Sequence, residues 1–415
     1  MLSHFNRFVY SAMHVSVVIL FLIGFIHIAS AVPYEEHSIF LLSYSIWILV
    51  LCGILGVLYF VDIGNCKFFI YPTYLLTIFL LVVVLFYGST VKGGQRWLDL
   101  GVLKFQPSEI IKLVIIFVIA HYCDAFMPKR EYVLIDIFGL LNVFRTIILF
   151  MLGVYMCMCY KLLKYYCLLL LLFFVLFCIK KKKKKTFISI VDFVILPVYL
   201  IYLQPDFATA LIVLFISTTI IVCAGINKQS IILFMSYFLT VVFFSWIYFF
   251  QDYQRLRIYD FITLNFENNH LNYQIEQSIS AIGTGQLFGS GFGEGLQIYL
   301  LYLPENFTDF AFSGISGEWG LFGDIIILFF YSVLIISLVY FSSQVRNKFD
   351  QLVIVGFSSL IFWNMCVNIG TTIGMFPTAG VPLPFISSGG TSMFIHIVGF
   401  SICCNLLKKK SNFIF

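Results

Sequence analysis

Two carboxylates four positions apart, Glu305 and Asp309, follow a proline at the edge of a long apolar run. A carboxylate within reach of a substrate hydroxyl can take its proton, and a second acid nearby can tune that transfer. We therefore interpret the pair as a candidate general-base site. The alternative is structural, because Asp309 could instead cap a helix that begins near Phe310.

A second group of candidates lies in the stretch 93–112. Glu109 and Lys112 are three positions apart on a predicted helix, and ionisable residues inside a membrane span indicate function by default. A simple ion pair between them is the structural alternative. Arg96 and Trp97 could together bind an anionic lipid head, although an aromatic belt at the membrane interface also explains the tryptophan.

A third group surrounds two breaks in the apolar pattern. Asp206 heads the helix after the break at 204–206, where an acidic residue stabilises the helix dipole, so a cap is its structural alternative. Arg255 and Arg257 open the polar stretch 251–311, on the side where the positive-inside rule disfavours cations. The glycines of that stretch favour a flexible loop, because no Gly-Lys-Ser or Gly-Lys-Thr follows them as a phosphate-binding loop requires.

The elements that position these residues are predicted to be membrane helices. Hydrophobic residues make up 61% of the chain and charged residues 11%, with a mean hydropathy of +1.00. Soluble domains carry about 25% charged residues, so a soluble globule is excluded. Ten apolar runs approach the length of about 20 residues that a spanning helix needs. They cover residues 8–32, 39–60, 68–88, 108–126, 187–203, 207–225, 231–250, 312–341, 351–375 and 385–406.

The loop charges predict a topology, since most Lys and Arg fall on the side of the amino terminus. Both termini are then cytoplasmic, and 251–311 is a large extracytoplasmic loop between spans 7 and 8. The predicted fold class is an all-α polytopic membrane protein forming a single domain over 1–415. The segment 128–186 is an atypical insertion, either a membrane hairpin or an interfacial region that ends in a run of lysines.

Other sites and partners are disfavoured. The eleven cysteines include no Cys-x-x-Cys pair, and neither they nor the seven histidines have a metal-ligand spacing, so we predict no protein-built metal site. The basic residues form short clusters beside predicted spans, a pattern that disfavours a nucleic-acid partner.

Four stretches in this order resemble the SEDS family (shape, elongation, division and sporulation) of bacterial peptidoglycan glycosyltransferases. They read GQRWLDLG with FQPSE, then QPDFATAL, then AIGTGQLFGSG with LPENFTDF and GEWGLFG, and last NIG with GVPLPFISSGG. Together they anchor nearly all of the chain outside 128–195. The first and third stretches are closer to the RodA, elongation branch, whereas QPDF is closer to the FtsW, division branch.

The resemblance implies roles for single residues. The family's catalytic aspartate falls on Asp309 and the glutamate of the same motif on Glu305. The family's other charged motif positions fall on Glu109, Lys112, Asp206, Arg255 and Arg257. We predict that these five residues, together with Arg96, contact the substrate. The chain departs from the family pattern at Phe307, where His or Gln is usual, and at Ser388, where Tyr is usual.

The implied reaction is polymerisation of lipid II, an undecaprenyl-pyrophosphate-linked disaccharide-pentapeptide, into β-1,4 glycan strands at the bacterial cytoplasmic membrane. No tightly bound cofactor is expected, and a divalent cation, Mg²⁺ or Mn²⁺, could accompany the pyrophosphate. The implied partners are a class B penicillin-binding protein, which supplies crosslinking, and other membrane proteins of the elongation complex. Three alternatives stay open: a flippase for the same lipid, a division-branch polymerase and a scaffold without activity.

Overall fold

A computed structural model describes residues 2–31, 45, 53, 56, 67–91, 94–99, 104–126, 190–225, 255, 270–294, 306–377 and 380–408. The chain divides into two compact units. Unit 1 combines Met1–Cys66 with Arg257–Phe415, and unit 2 is Lys67–Leu256. The predicted insertion, 128–186, lies outside the described residues, and the prediction of a single domain over 1–415 stays a prediction.

The described elements are nearly all helical. In chain order they are α1 (Leu2–Ala31), α2 (Ile70–Tyr87), β1 (Ser89–Val91), β2 (Gly94–Asp99), β3 (Lys104–Phe105), α3 (Pro107–Phe126), α4 (Ile190–Tyr202), α5 (Phe207–Cys223), α6 (His270–Gly285), α7 (Ala311–Gln344), α8 (Lys348–Thr372) and α9 (Gly390–Lys408).

Unit 1 is built around α7, which packs against α1, α6 and α8, while α8 also packs against α9. Helix α7 is broken at Gly320, whose φ of 66° lies in the left-handed region that glycine adopts without strain. Gly24 lets α1 approach the segment before α9, because a Cβ atom there would lie 2.5 Å from Ile386 O. These two glycines set how closely the backbone of unit 1 packs.

The described residues of unit 2 form four helices and a small sheet. Helix α3 packs against α2, α4 and α5, and β2 lies against α2 and α3. The strands form an antiparallel sheet in the order β1-β2-β3, with Ser89 opposite Trp97 and Leu98 opposite Phe105. The predicted fold class was all-α, with no strands. The sheet is therefore a correction, since aromatic and β-branched residues in this stretch pair as strands.

Five helices in the described part of the chain are long and apolar enough to cross a membrane: His4–Ser30, Lys67–Tyr87, Ala311–Gln344, Lys348–Thr372 and Gly390–Lys408. Two shorter apolar helices are Asp192–Tyr202 and Phe207–Cys223. The protein is thus a polytopic helical membrane protein, as predicted. The count of ten stays a prediction, because the runs 39–60 and 231–250 are not covered by described helices.

The predicted loop 251–311 is described only in part. Its described residues include α6 and the turns that follow it up to Glu294. The stretch was predicted to be a flexible loop in its glycine-rich part, whereas Gly283 and Gly285 lie within α6. Gly289, Gly291 and Gly293 follow with positive φ, so the helix ends where the glycines become frequent.

Candidate active site

The turn 306–309, just before α7, is fixed through its backbone. Each of its four carbonyl oxygens accepts a hydrogen bond from a residue outside the turn. His27 Nε2 donates to Asn306 O at 3.0 Å, Ser388 N and Oγ to Phe307 O at 3.0 and 2.9 Å, Ser387 Oγ to Thr308 O at 2.5 Å, and Asn368 Nδ2 to Asp309 O at 2.8 Å. The backbone that carries the Asp309 carboxylate is therefore held in one place.

Asn368 joins this turn to the segment before α9. Its side chain is buried, and the same nitrogen that donates to Asp309 O also donates to Val381 O at 2.7 Å. Its Oδ1 is also buried, and it has no hydrogen-bond partner among the described residues.

The segment that supplies Ser387 and Ser388 is itself constrained. Phe385 is buried at a positive φ of 64°, a conformation that costs about 1–3 kcal/mol and persists only where the surroundings enforce it. Tyr331 Oη donates to Pro384 O, and Leu383 N donates to Ser387 Oγ at 2.8 Å. Both serines therefore reach the turn from a rigid backbone.

The Asp309 side chain is half-buried and faces Gly380, where an added Cβ would lie 3.6 Å from Oδ2. The cap position of α7 is Phe310, which makes no side-chain capping bond. Phe310, and not Asp309, therefore occupies the cap position that the structural alternative assigned to Asp309.

In unit 2, Glu109 and Lys112 form the ion pair that their spacing indicated. Lys112 Nζ lies 2.7 Å from Glu109 Oε1, and both side chains are buried. Glu109 Oε2 and Ser108 Oγ are buried without a hydrogen-bond partner in the described part of the chain. The structural alternative is confirmed, but acceptor and donor capacity remains beside the pair.

Asp206 has two roles in unit 2. It is the cap residue of α5, where Oδ1 accepts from Thr209 N at 3.3 Å, which confirms the cap alternative. Its Oδ2 also accepts from Gln106 Nε2 at 3.2 Å, and Arg96 Nη1 lies 3.8 Å from Oδ1. Asp206 is therefore a cap that also contacts β2 and the start of α3.

The backbone turn before α5 orients the side chain of Arg96. Its Nε donates to Gln204 O at 3.3 Å, and its Nη2 donates to Pro205 O. About a quarter of the side chain is exposed, at 24%. The planar guanidinium is thus held by two carbonyls and one carboxylate, which suits it to bind a phosphate group.

The remaining predicted residues are placed less completely. Arg255 is half-buried and belongs to unit 2. Glu305 and Arg257 lie outside the described residues, so their roles stay predictions. The structure pairs Glu109 with Lys112 and places Arg96 beside Asp206, while Asp309 belongs to unit 1.

Sequence reasoning did not single out His27, Asn368 or Ser387 as site residues. A signal was present for two of them, because a histidine and an asparagine within apolar spans need polar partners. Ser388 and Phe307 had been identified only as departures from the family pattern. In the structure these two residues contact each other, since the Ser388 amide and hydroxyl both donate to Phe307 O.

Comparisons with known proteins agree on one family. The family model FTSW_RODA_SPOVE, described as a cell cycle protein, matches residues 7–181 and 178–412. The peptidoglycan glycosyltransferase MrdB of Escherichia coli (strain K12) is 29% identical over 336 residues, which are 80% of this chain and 76% of that protein.

Two solved structures have the same fold. One comes from work on the structural coordination of polymerization and crosslinking by a peptidoglycan synthase complex. It has a TM-score of 0.71 and 21% identity, and the match covers 96% of this chain and 97% of that chain. The rod shape determining protein RodA of Thermus thermophilus has a TM-score of 0.61 and 20% identity, covering 96% of each chain. At these identities the likeness shows the fold alone.

Proposed function

Because the chain belongs to the SEDS family, the family of FtsW, RodA and SpoVE, we propose that it is a peptidoglycan glycosyltransferase of the elongation branch. Its substrate is lipid II, which it polymerises into β-1,4 glycan strands that extend the cell wall and maintain cell shape. The name and activity of the Escherichia coli relative support this proposal.

The observation that carries the proposal is the fixed turn at Asp309. A general base must be held within hydrogen-bond distance of the hydroxyl that it deprotonates, and small displacements reduce the rate strongly. Four carbonyls of the turn are held by side chains or amides from elsewhere in unit 1. Such a backbone suits a carboxylate that must stay in place while a flexible lipid-linked sugar arrives.

The chemistry assigned to Asp309 is proton removal from the acceptor sugar. The acceptor oxygen forms a bond to the anomeric carbon of the donor, whose bond to the pyrophosphate oxygen breaks, and the proton passes to the Asp309 carboxylate. Since the donor linkage is α and the product β, one displacement with inversion accounts for the outcome. Glu305 tunes the base in this proposal.

The leaving pyrophosphate needs positive charge. Arg96, Lys112, Arg255 and Arg257 are proposed to bind it, with Glu109 and Asp206 orienting the cations. A divalent cation stays part of the proposal as a companion of the phosphate oxygens. The described residues contain no group of three or more His, Cys, Asp or Glu that could hold a metal, so we derive no step through a cation.

The proposed setting is the bacterial cytoplasmic membrane, with ten spans, both termini cytoplasmic and 251–311 on the outer face. The distribution of Lys and Arg among the loops supports this orientation. A class B penicillin-binding protein is the proposed partner for crosslinking, together with other membrane proteins of the elongation complex. The synthase complex that contains one fold relative supports such a partnership.

The direct test is polymerisation of labelled lipid II by the purified protein. Asp309→Asn should lower the rate by about 100-fold to 10,000-fold, the usual contribution of a general base. Asp324→Asn is the matched control, because this other aspartate of unit 1 lies in α7 and accepts bonds from Ser316 Oγ at 2.6 Å. Wild-type protein that makes no glycan polymer would contradict the proposal.

The buried charges of Glu109 and Lys112 in α3 favour one second candidate, a flippase for the same lipid, since transporters also place charged residues within spans. A translocation assay in vesicles separates the two functions. Movement of labelled lipid II across the bilayer, without polymer, would support the flippase. Polymer formation by the purified protein would exclude pure transport.

A further inference from the structure

A histidine and a glutamate lie buried together in unit 1. His27 of α1 and Glu318 of α7 are each 1% exposed, and His27 Nδ1 lies 3.8 Å from Glu318 Oε2. No hydrogen bond joins the two side chains, because His27 Nδ1 has no hydrogen-bond partner among the described residues. The imidazole and the carboxylate are therefore buried neighbours, packed against each other between α1 and α7.

Glu318 also holds the glycine-rich segment, which we define as residues 286–294. Its Oε1 accepts from Gly293 N at 3.3 Å, and its backbone oxygen accepts from Gly291 N at 3.1 Å. Its Oε2 accepts from Ser30 Oγ of α1 at 2.8 Å. One residue thus links the glycine-rich segment to α1 and α7.

The packing around this link leaves little freedom. A Cβ atom at Gly289 would lie 1.9 Å from Glu318 O, so the glycine-rich segment touches α7 at the backbone. Leu321 N donates to Gln286 O at 2.9 Å, and Phe322 N donates to Leu287 O at 3.1 Å. The break at Gly320 frees these amides from their helical partners, so the segment docks on the break itself.

His27 connects this docked segment to the candidate base. The nitrogen that does not face Glu318, Nε2, donates to Asn306 O at 3.0 Å, three residues before Asp309. The imidazole therefore contacts both Glu318 and the turn 306–309. A residue that served only to pack against Glu318 would not need to hold a carbonyl of that turn.

We propose that His27 and Glu318 are positioning residues, which couple the glycine-rich segment to the turn that carries Asp309. A shift of the segment moves Glu318, and through His27 it moves the turn, so the base is fully placed only when the segment is docked. The inference rests on the proposed function, because its effect on rate is measured through lipid II polymerisation. Its structural part can be measured without substrate.

The test compares three variants of the full chain in detergent. His27→Leu removes the hydrogen bond to Asn306 O, and His27→Gln retains a donor in a similar position. His14→Leu is the control, since His14 lies on the same helix and its Nδ1 bonds Tyr10 O of its own helix at 2.9 Å. Each variant is measured for kcat, KM, thermal unfolding and hydrogen–deuterium exchange of peptides covering 286–294 and 306–314.

We expect His27→Leu to lower kcat by about tenfold to 100-fold with little change in KM, because misplacing a catalytic group acts on the reacting geometry. Exchange should become faster in both peptides together. His27→Gln should restore most of kcat, and His14→Leu should keep the wild-type kcat and exchange in both regions.

Unchanged kcat and unchanged exchange in His27→Leu would overturn the coupling. A loss of kcat that accompanies a loss of thermal stability, and that His27→Gln does not restore, would also overturn it. If His27→Leu does not fold, Ser30→Ala and Glu318→Gln give the same exchange test, and unchanged exchange in both overturns it. Failure of the proposed function can be told apart from failure of the coupling. Even if the wild-type protein makes no glycan polymer, the hydrogen–deuterium exchange of its two peptides can still be compared with that of His27→Leu.

Discussion

Asn368 and Asp309 are joined by a hydrogen bond of 2.8 Å from the side-chain amide of one to the backbone carbonyl of the other. The same nitrogen donates to Val381 O, so one buried residue of α8 holds two segments that are far apart in sequence. The bond acts on the backbone carbonyl of Asp309 and not on its carboxylate. The position of the candidate base therefore depends on a residue with no acid–base role.

Asn368→Leu tests this dependence. Two carbonyls lose their donor inside a buried site, and leaving buried polar groups unpaired costs about 1–3 kcal/mol. We expect polymerisation to fall by about tenfold or more, since the turn is then less well placed. The matched control is Asn364→Leu, one turn earlier on α8, whose amide bonds His396 Nε2 at 3.0 Å instead. Equal activity losses in the two variants would argue against a specific role for Asn368.

Local patterns predicted the apolar helices among the described residues, because a long apolar run in a membrane is most stable as a helix. The spacing of Glu109 and Lys112 predicted their ion pair, and the break before Asp206 predicted its cap. Such contacts join residues within one helical turn, so the sequence carries them directly. The strands at 89–105 were not foreseen, because they are only two to six residues long.

The hydrogen bonds that hold the turn 306–309 could not be predicted in this way. His27 and Asn306 are 279 positions apart, and Ser388 and Phe307 are 81 apart. Nothing local indicates which polar residue of one span meets which carbonyl of another. The two departures from the family pattern were visible in sequence, but only the structure shows that they are one contact.

Gly289 is expected to tolerate no side chain. Its φ is +78°, and an added Cβ would lie 1.9 Å from Glu318 O, so Gly289→Ala combines backbone strain with a clash against backbone. We expect a loss of about 2–3 kcal/mol in the free energy of unfolding, measured by denaturation in detergent. Gly283→Ala is the control within α6, where nothing lies within 4 Å of the added Cβ. It should raise stability by about 0.5–1 kcal/mol, the gain of alanine over glycine in a helix. Equal stability of the two variants would contradict the docking of the glycine-rich segment on α7.

The buried pair Glu109 and Lys112 can be separated into a structural and a substrate role by a double-mutant cycle. Glu109→Leu or Lys112→Met alone leaves a buried charge unpaired and should cost about 3–5 kcal/mol. The double variant removes both charges and should recover most of the stability. Polymerisation should stay low in the double variant, because Lys112 can no longer bind the pyrophosphate.

Recovery of polymerisation together with stability would assign the pair a structural role only. A second pair in unit 2 provides the comparison. Lys67 Nζ lies 3.0 Å from Asp124 Oδ2, and both side chains are partly exposed. Lys67→Met should change stability by no more than about 1 kcal/mol, as for surface pairs, and should leave polymerisation unchanged.

Asp206 combines a cap with a contact to Arg96, and two substitutions distinguish these roles. Asparagine caps a helix as well as aspartate does, so Asp206→Asn should keep the bond from Thr209 N and the stability of α5. Asp206→Ala loses the cap and about 1 kcal/mol of stability. Both variants remove the carboxylate that faces the Arg96 guanidinium at 3.8 Å.

If Arg96 binds the lipid pyrophosphate, both variants should raise KM for lipid II by a similar factor while kcat changes little, because the lost interaction is made equally with substrate and transition state. Arg96→Lys should do the same, since an ammonium cannot contact Gln204 O and Pro205 O as a fork. A KM that changes only in Asp206→Ala would show that Asp206 acts through the helix cap. Unchanged KM in all three would remove Arg96 from the substrate site.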